Sequence, residues 1–122
     1  FNNTKTAACH ALSYPMTFNF QIPHGLAVSI TLKEVLKFNN REIPDKIRQI
    51  LEEFGASSVD HFNQVFPEFM QSIGLPVRLR DLGLKESDID LLLSQSINPD
   101  RLNNNSAALT KDEIRTILTN IY

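Results

Sequence analysis

The chain has one cysteine, Cys9, so no internal disulfide can form, and its start carries no basic-then-apolar leader; both features fit a reducing, cytoplasmic setting. It has no excess of basic residues: 12 Lys and Arg stand against 14 Asp and Glu, for a net charge of -2. Nucleic-acid binding needs clustered cations, so the composition argues against it. A long hydrophobic run is also missing. The longest mainly apolar stretch, Leu26 to Leu36, is broken by Ser29, Thr31, Lys33 and Glu34 and falls far short of the roughly 20 apolar residues that a bilayer span requires. There is no internal repeat, no low-complexity tract and no sustained strand-like alternation, which leaves an all-α reading with short punctuated loops.

With 122 residues, 42% hydrophobic and 21% charged, the chain is large enough to bury one core, and residues 1–122 read as a single helical domain. It begins at Phe1 in helix-compatible sequence, from which a longer parent polypeptide is expected. About seven helical segments follow. The first is predicted from Asn3 to Tyr14, stopping at Pro15 because a residue before proline is pushed out of the helical region. A loop from Met16 to Pro23 is expected next. From His24 to Phe38, apolar residues lie on nearly all sides, which predicts a buried central helix. Ile43, Ile47, Ile50, Leu51 and Phe54 recur at helical spacing, with Pro44 suited to a first turn and Gly55 to a C-terminal cap.

Ser58 opens a segment lined by Val59, Phe62, Phe66, Phe69, Met70 and Ile73, which Pro67 is expected to kink or restart. "LPVRLRDLG" reads as a turn with a short helix. Ser87 with Asp90, and Thr110 with Glu113, are candidate capping boxes, and "NPDRLNNNSAALT" between them reads as loop.

The chemistry concentrates in "HALSYPMTFNFQIPHG", residues 10 to 25. At 100° per residue, Asn3, Thr6, His10 and Tyr14 share one face of the first helix, with Ser13 at its edge, while Ala7, Ala8, Ala11 and Leu12 supply the packing. His24 then returns a second imidazole, beside a glycine and at a helix N-terminus that disfavours its protonation. A neutral imidazole can bind a metal. Spacing alone favours the plainer alternative, in which His10 is a hydrogen-bonded core residue and His24 caps a helix, because histidines fourteen apart match no compact ligand motif. A metal also needs more than two protein ligands, and neither His61 nor any aspartate obviously supplies them.

The same residues carry a family likeness. "FNNTKTAACHALSYPMTFNFQIPHGLAVSITLKEVLKFN" resembles the start of the helical C-terminal domain of iron-containing (group III) alcohol dehydrogenases, a small-residue helix with one histidine, a loop, and a second histidine before glycine. "GLPVRLRDLGLKESDID" and "NNNSAALTKDEIRTIL" are similar to later segments of that domain, in the same order and spacing. The resemblance implies an all-α, multi-helix bundle of the dehydroquinate synthase-like type. It makes His10 and His24 metal ligands, with Fe2+ the usual metal and Zn2+ an alternative. The family's other two ligands, and the domain that binds NAD(P), precede the position matching Phe1. Where the family has a histidine four residues after the first ligand, this chain has Tyr14, so the relatives' relay histidine does not carry over. A phenol there can donate a hydrogen bond or pass a proton, which makes Tyr14 the candidate catalytic residue.

The implied activity is interconversion of a small alcohol and an aldehyde, by a dimeric enzyme in which Phe18 and Phe20 shape the pocket. Within the family, "TKTAACHALSYPMT" is similar to dehydrogenases of phosphonate metabolism, implying a phosphonoacetaldehyde-like substrate, with Lys5 and Thr6 as candidate anion contacts. The isolated chain is expected to be inactive. The competing expectation is a stand-alone helical interaction module with structural histidines.

Overall fold

Ala8, Ala11, Leu12, Pro15 and Met16 recur three or four residues apart, and this spacing runs straight through the proline. In the computed structural model, which describes residues 7–122, all five are buried on one face of α1 (Ala8–Phe20). The helix therefore does not stop at Pro15 as expected. Proline lacks one N–H and so costs one backbone hydrogen bond, whereas continuing the helix buries Met16 completely. The predicted loop shrinks to Gln21, Ile22 and Pro23. The predicted start at Asn3 lies outside the described residues.

Six further α-helices follow: α2 (His24–Asn39), α3 (Pro44–Glu53), α4 (Val59–Ser72), α5 (Asp88–Ser96), α6 (Pro99–Leu102) and α7 (Lys111–Asn120), with a 3-10 helix at Leu79–Leu82. Among the described residues there is no strand, and no helix is long and apolar enough to cross a membrane. The all-α class holds.

α2 occupies the centre, packing against α1, α3, α4 and α7. It is less apolar inside than its sequence implies, because Thr31 and Glu34 are buried along with Ala27, Ile30, Val35 and Leu36. The Glu34 carboxylate is held by Lys37 Nζ at 2.9 Å and Asn120 Nδ2 at 3.0 Å, which ties α2 to α7. A buried carboxylate persists only when paired in this way.

α4 runs unbroken through Pro67 from Val59 to Ser72, and Phe62, Phe66 and Met70 are its buried face. Phe69 and Ile73, expected on that face, are exposed. Phe62 is fully buried, stacked on Phe66 at 5.0 Å and edge-on to Phe54 at 5.3 Å.

Of the two expected capping boxes, only one forms. Thr110 Oγ1 accepts the Glu113 N–H and the Glu113 carboxylate accepts the Thr110 N–H. Ser87 sits in helical backbone conformation and makes no cap; Asp88 Oδ2 instead accepts the Lys85 N–H at 2.7 Å and closes that turn. The stretch read as loop contains α6, capped by the Asn98 side chain accepting the Arg101 N–H. Behind α6, Asn39 and Asn105 exchange side-chain hydrogen bonds, and Asn39 Oδ1 also accepts the Ala107 N–H. This amide pair fastens the returning segment to the end of α2.

Phe62→Ala should lower the unfolding free energy by about 3–5 kcal/mol, the usual result of emptying a large buried aromatic site. The midpoint of urea denaturation measures it.

Candidate functional site

Positions 10, 13 and 14 lie at i, i+3 and i+4 of α1, so His10, Ser13 and Tyr14 share one edge of the helix. The helix ends at Gln21, whose left-handed backbone (φ 56°) turns the chain while its N–H bonds the Thr17 carbonyl. Three residues later His24 opens α2 against that same edge of α1. Its N-cap is Pro23, so His24 itself is not the cap. The ring centroids of His10 and His24 are 5.2 Å apart, and the Tyr14 ring stacks on His24 at 5.3 Å and lies 6.3 Å from His10. The three rings form one cluster. Asn3, Lys5 and Thr6, expected to extend it, lie outside the described residues.

Ser13 is the residue that organises the pair. It is fully buried, and its Oγ lies 3.0 Å from the His10 carbonyl and 3.3 Å from His24 Nδ1. A hydroxyl carries one hydrogen, and the carbonyl, which can only accept, claims it. Toward His24 the oxygen must then accept, so Nδ1 carries the proton and Nε2 keeps its lone pair. Metal-binding histidines are commonly oriented in just this fashion by an acceptor at the opposite ring nitrogen.

The His10 pKa is pushed below its ordinary value of 6.5, first by desolvation and then by the neighbouring His24 and Arg101. The folded form thus disfavours the protonated ring. Stability from this group is complete above the free-imidazole value and declines as the pH falls below it toward the lower folded value. His10 is accordingly suited to donate a lone pair, as is the Nε2 of His24 in its Nδ1–H tautomer. Two rings sharing an ion at about 2.0–2.1 Å from each nitrogen would have centroids about 5 Å apart, which agrees with the 5.2 Å here. Among the described residues no cluster of three or more His, Cys, Asp and Glu exists, so the two imidazoles stand without a further such group beside them. His61 is engaged elsewhere, its Nδ1 accepting the Ser57 N–H at the start of α4.

Beside the rings opens a cleft of about 460 Å³ walled by Tyr14, Pro15, Thr17, Phe18, Gln95 and Arg101. Phe18 is 85% exposed on its rim, whereas Phe20 is half-buried against the core. The Arg101 guanidinium carbon lies 4.2 Å over the Tyr14 ring. Sequence reasoning put Ser13 only at the edge of the polar stripe and passed over Arg101. The first follows from its i+3 relation to His10; the second has no local signal, because α6 reaches α1 only through tertiary packing.

Comparison with known proteins agrees with this picture. The family model of the Fe-containing alcohol dehydrogenase family, C-terminal domain, matches residues 1–122. The chain is 26% identical to the NADPH-dependent butanol dehydrogenase of Clostridium saccharobutylicum, over 100% of this chain and 34% of that protein. The 1,3-propanediol dehydrogenase of Klebsiella pneumoniae is 26% identical over the same shares. The crystal structure of sulfoacetaldehyde reductase from Bifidobacterium kashiwanohense, in complex with NAD+, superposes with a TM-score of 0.80 at 30% identity, over 96% of this chain and 31% of that one. The chain thus spans about a third of the length of the curated relatives it matches.

Nitrogen NMR of the histidine rings should find His24 protonated at Nδ1, with a lone-pair shift at Nε2. Ser13→Ala should remove that bias, and an unchanged Nδ1–H form in this variant would show that Ser13 does not set it.

Proposed function

Because the chain belongs to the Fe-containing alcohol dehydrogenase family, as its C-terminal domain, we propose that it is the metal-binding, substrate-side domain of an iron-dependent, NAD(P)-linked enzyme interconverting an alcohol and an aldehyde. The observation that carries this reading is the convergence of His10 and His24 at 5.2 Å, with Ser13 Oγ against the Nδ1 of the second. A stand-alone interaction module gives no reason for a buried hydroxyl to choose the tautomer of a histidine.

In this reading His10 and His24 hold the metal, and the two remaining ligands and the nicotinamide come from sequence upstream of Phe1. The chemistry supplied at that point is Lewis-acid polarisation of the substrate oxygen, with the nicotinamide as redox partner. Ser13 keeps the His24 lone pair directed away from itself. Tyr14, stacked on His24 and 37% exposed, stands at the mouth of the cleft. Its hydroxyl is the group of this chain that donates a hydrogen bond, or passes a proton, to the reacting oxygen. Phe18 and Pro15 give the cleft an apolar wall for the substrate's carbon chain. Zn2+ in place of Fe2+, a homodimeric assembly and a cytoplasmic location belong to the same reading.

Among possible substrates, a phosphonoacetaldehyde-like aldehyde is the finer proposal. Its support is the sequence likeness around Tyr14 and a cation in the cleft, Arg101, that forms no ion pair with any described carboxylate. A related structure is named for sulfoacetaldehyde, another short aldehyde with an anionic end.

In the full-length parent, His10→Ala and His24→Ala should each strip the metal, as read by elemental analysis; full occupancy in either would remove that residue from the ligand set. Ser13→Ala should weaken metal affinity by about 10- to 100-fold, the usual effect of losing a partner that orients a ligand. Tyr14→Phe should lower turnover and leave metal content alone, and undiminished turnover would take Tyr14 out of the reaction.

A further inference from the structure

We propose that the end of the cleft at Arg101 is a subsite for a tetrahedral oxyanion, a phosphonate or sulfonate, carried at the tail of a short-chain aldehyde or alcohol. The proposal rests on the dehydrogenase reading and assigns the substrate's tail to residues of α1, α5 and α6.

The first support is an unspent cation. Arg101 forms no ion pair with any described carboxylate, and residues 1–6 contain no Asp or Glu that could supply one. It lies with its guanidinium carbon 4.2 Å over the face of Tyr14. A guanidinium stacked on an aromatic ring uses its face, which leaves its in-plane N–H groups to grip an oxyanion in bidentate fashion. Stacking also holds the group in place, so little freedom is lost when an anion binds.

The second support is the polarity of the groups around it. The Gln95 side-chain oxygen is taken by Asn19 Nδ2 at 2.6 Å, so what Gln95 can offer the cleft is its NH2 group, a donor. The guanidinium and the amide NH2 face a cleft with no carboxylate in its lining. A carboxylate engages the guanidinium fork with both of its oxygens, whereas a phosphonate or sulfonate brings a third oxygen, out of that plane, to meet the Gln95 amide as well.

The third support is position. A single phenol ring, that of Tyr14, is in contact with Arg101 on one hand and with the His24 ring on the other. A tail held at Arg101 therefore lies one phenol ring from the imidazoles, a separation of the order of a short carbon chain.

The test uses the full-length, iron-loaded parent with phosphonoacetaldehyde, sulfoacetaldehyde, succinic semialdehyde and propanal as substrates. The wild type should favour the phosphonate and sulfonate aldehydes over both others in kcat/KM. Arg101→Met should lower the ratio of phosphonoacetaldehyde to propanal by about 10- to 100-fold, the worth of a charged hydrogen-bonded contact, chiefly through KM. Arg101→Lys, which keeps the charge but loses the fork, should fall between. An unchanged ratio in Arg101→Met, or a wild type that prefers propanal, overturns the subsite; equal use of succinic semialdehyde overturns its tetrahedral character. Calorimetric binding of phosphonoacetate, which cannot be reduced, gives an independent reading. It should weaken by the same factor in Arg101→Met, and equal binding by both proteins refutes the proposal. A parent with no dehydrogenase activity on any substrate would sink the enzyme reading, while the phosphonoacetate titration would still decide the subsite.

Discussion

A hydroxyl group has one hydrogen to give, and at Ser13 two neighbours compete for it. The His10 carbonyl can only accept, so it takes the hydrogen, and the Nδ1 of His24 must bring its own. One buried serine thus couples the backbone of the helix that carries the first imidazole to the tautomer of the second. Full burial of Ser13 confines its hydroxyl to these two neighbours. The arrangement requires α1 and α2 to lie against each other at the turn, and the extensive packing between them supplies that. Their shared core includes Leu12 and Met16 of α1 and Ala27 and Ile30 of α2, all buried.

The continuation of α1 beyond Pro15 has consequences for the site. Had the helix ended there, the residues that follow would have been free to form a loose loop over the cleft. As a helix, they place Thr17 and Phe18 in register with Tyr14 and keep the return to His24 to three residues. The cost of an interior proline is offset by burial of Pro15 and Met16 together, with Phe20 packed against the core one turn on. At Cys9, just before His10, burial pushes the thiol pKa up, which makes it a poor thiolate ligand or nucleophile.

The cleft and the cation over Tyr14 depend on a different part of the molecule. α6 is a single turn, too short to be stable alone. It is held by its Asn98 cap and by the reciprocal amide bonds between Asn39 and Asn105, which reach back to the end of α2. Small polar contacts of this kind decide where Arg101 stands. They involve residues whose types are ordinary for loops, so nothing in their local pattern marks them out.

Much of the fold was legible in the amino-acid order, because helical periodicity, proline at a first turn and the Thr110–Glu113 box are local signals that the structure obeys. The failures were also local rules: a proline read as a stop was overruled by burial, a serine read as a cap at Ser87 by the competing Asp88 carboxylate, and a stretch read as loop by the Asn98 cap that starts a turn of helix. The sequence by itself determined the all-α class through helical periodicity, and its family likeness, where spacing alone favoured structural histidines, singled out the two imidazoles and the phenol. Only the tertiary structure decided that the two imidazoles meet, which nitrogen of His24 is left free, and that a cation from α6 covers Tyr14. The reason is that each depends on atoms of separate helices brought to within a few ångströms, and the packing of the core sets those distances where no short-range rule can.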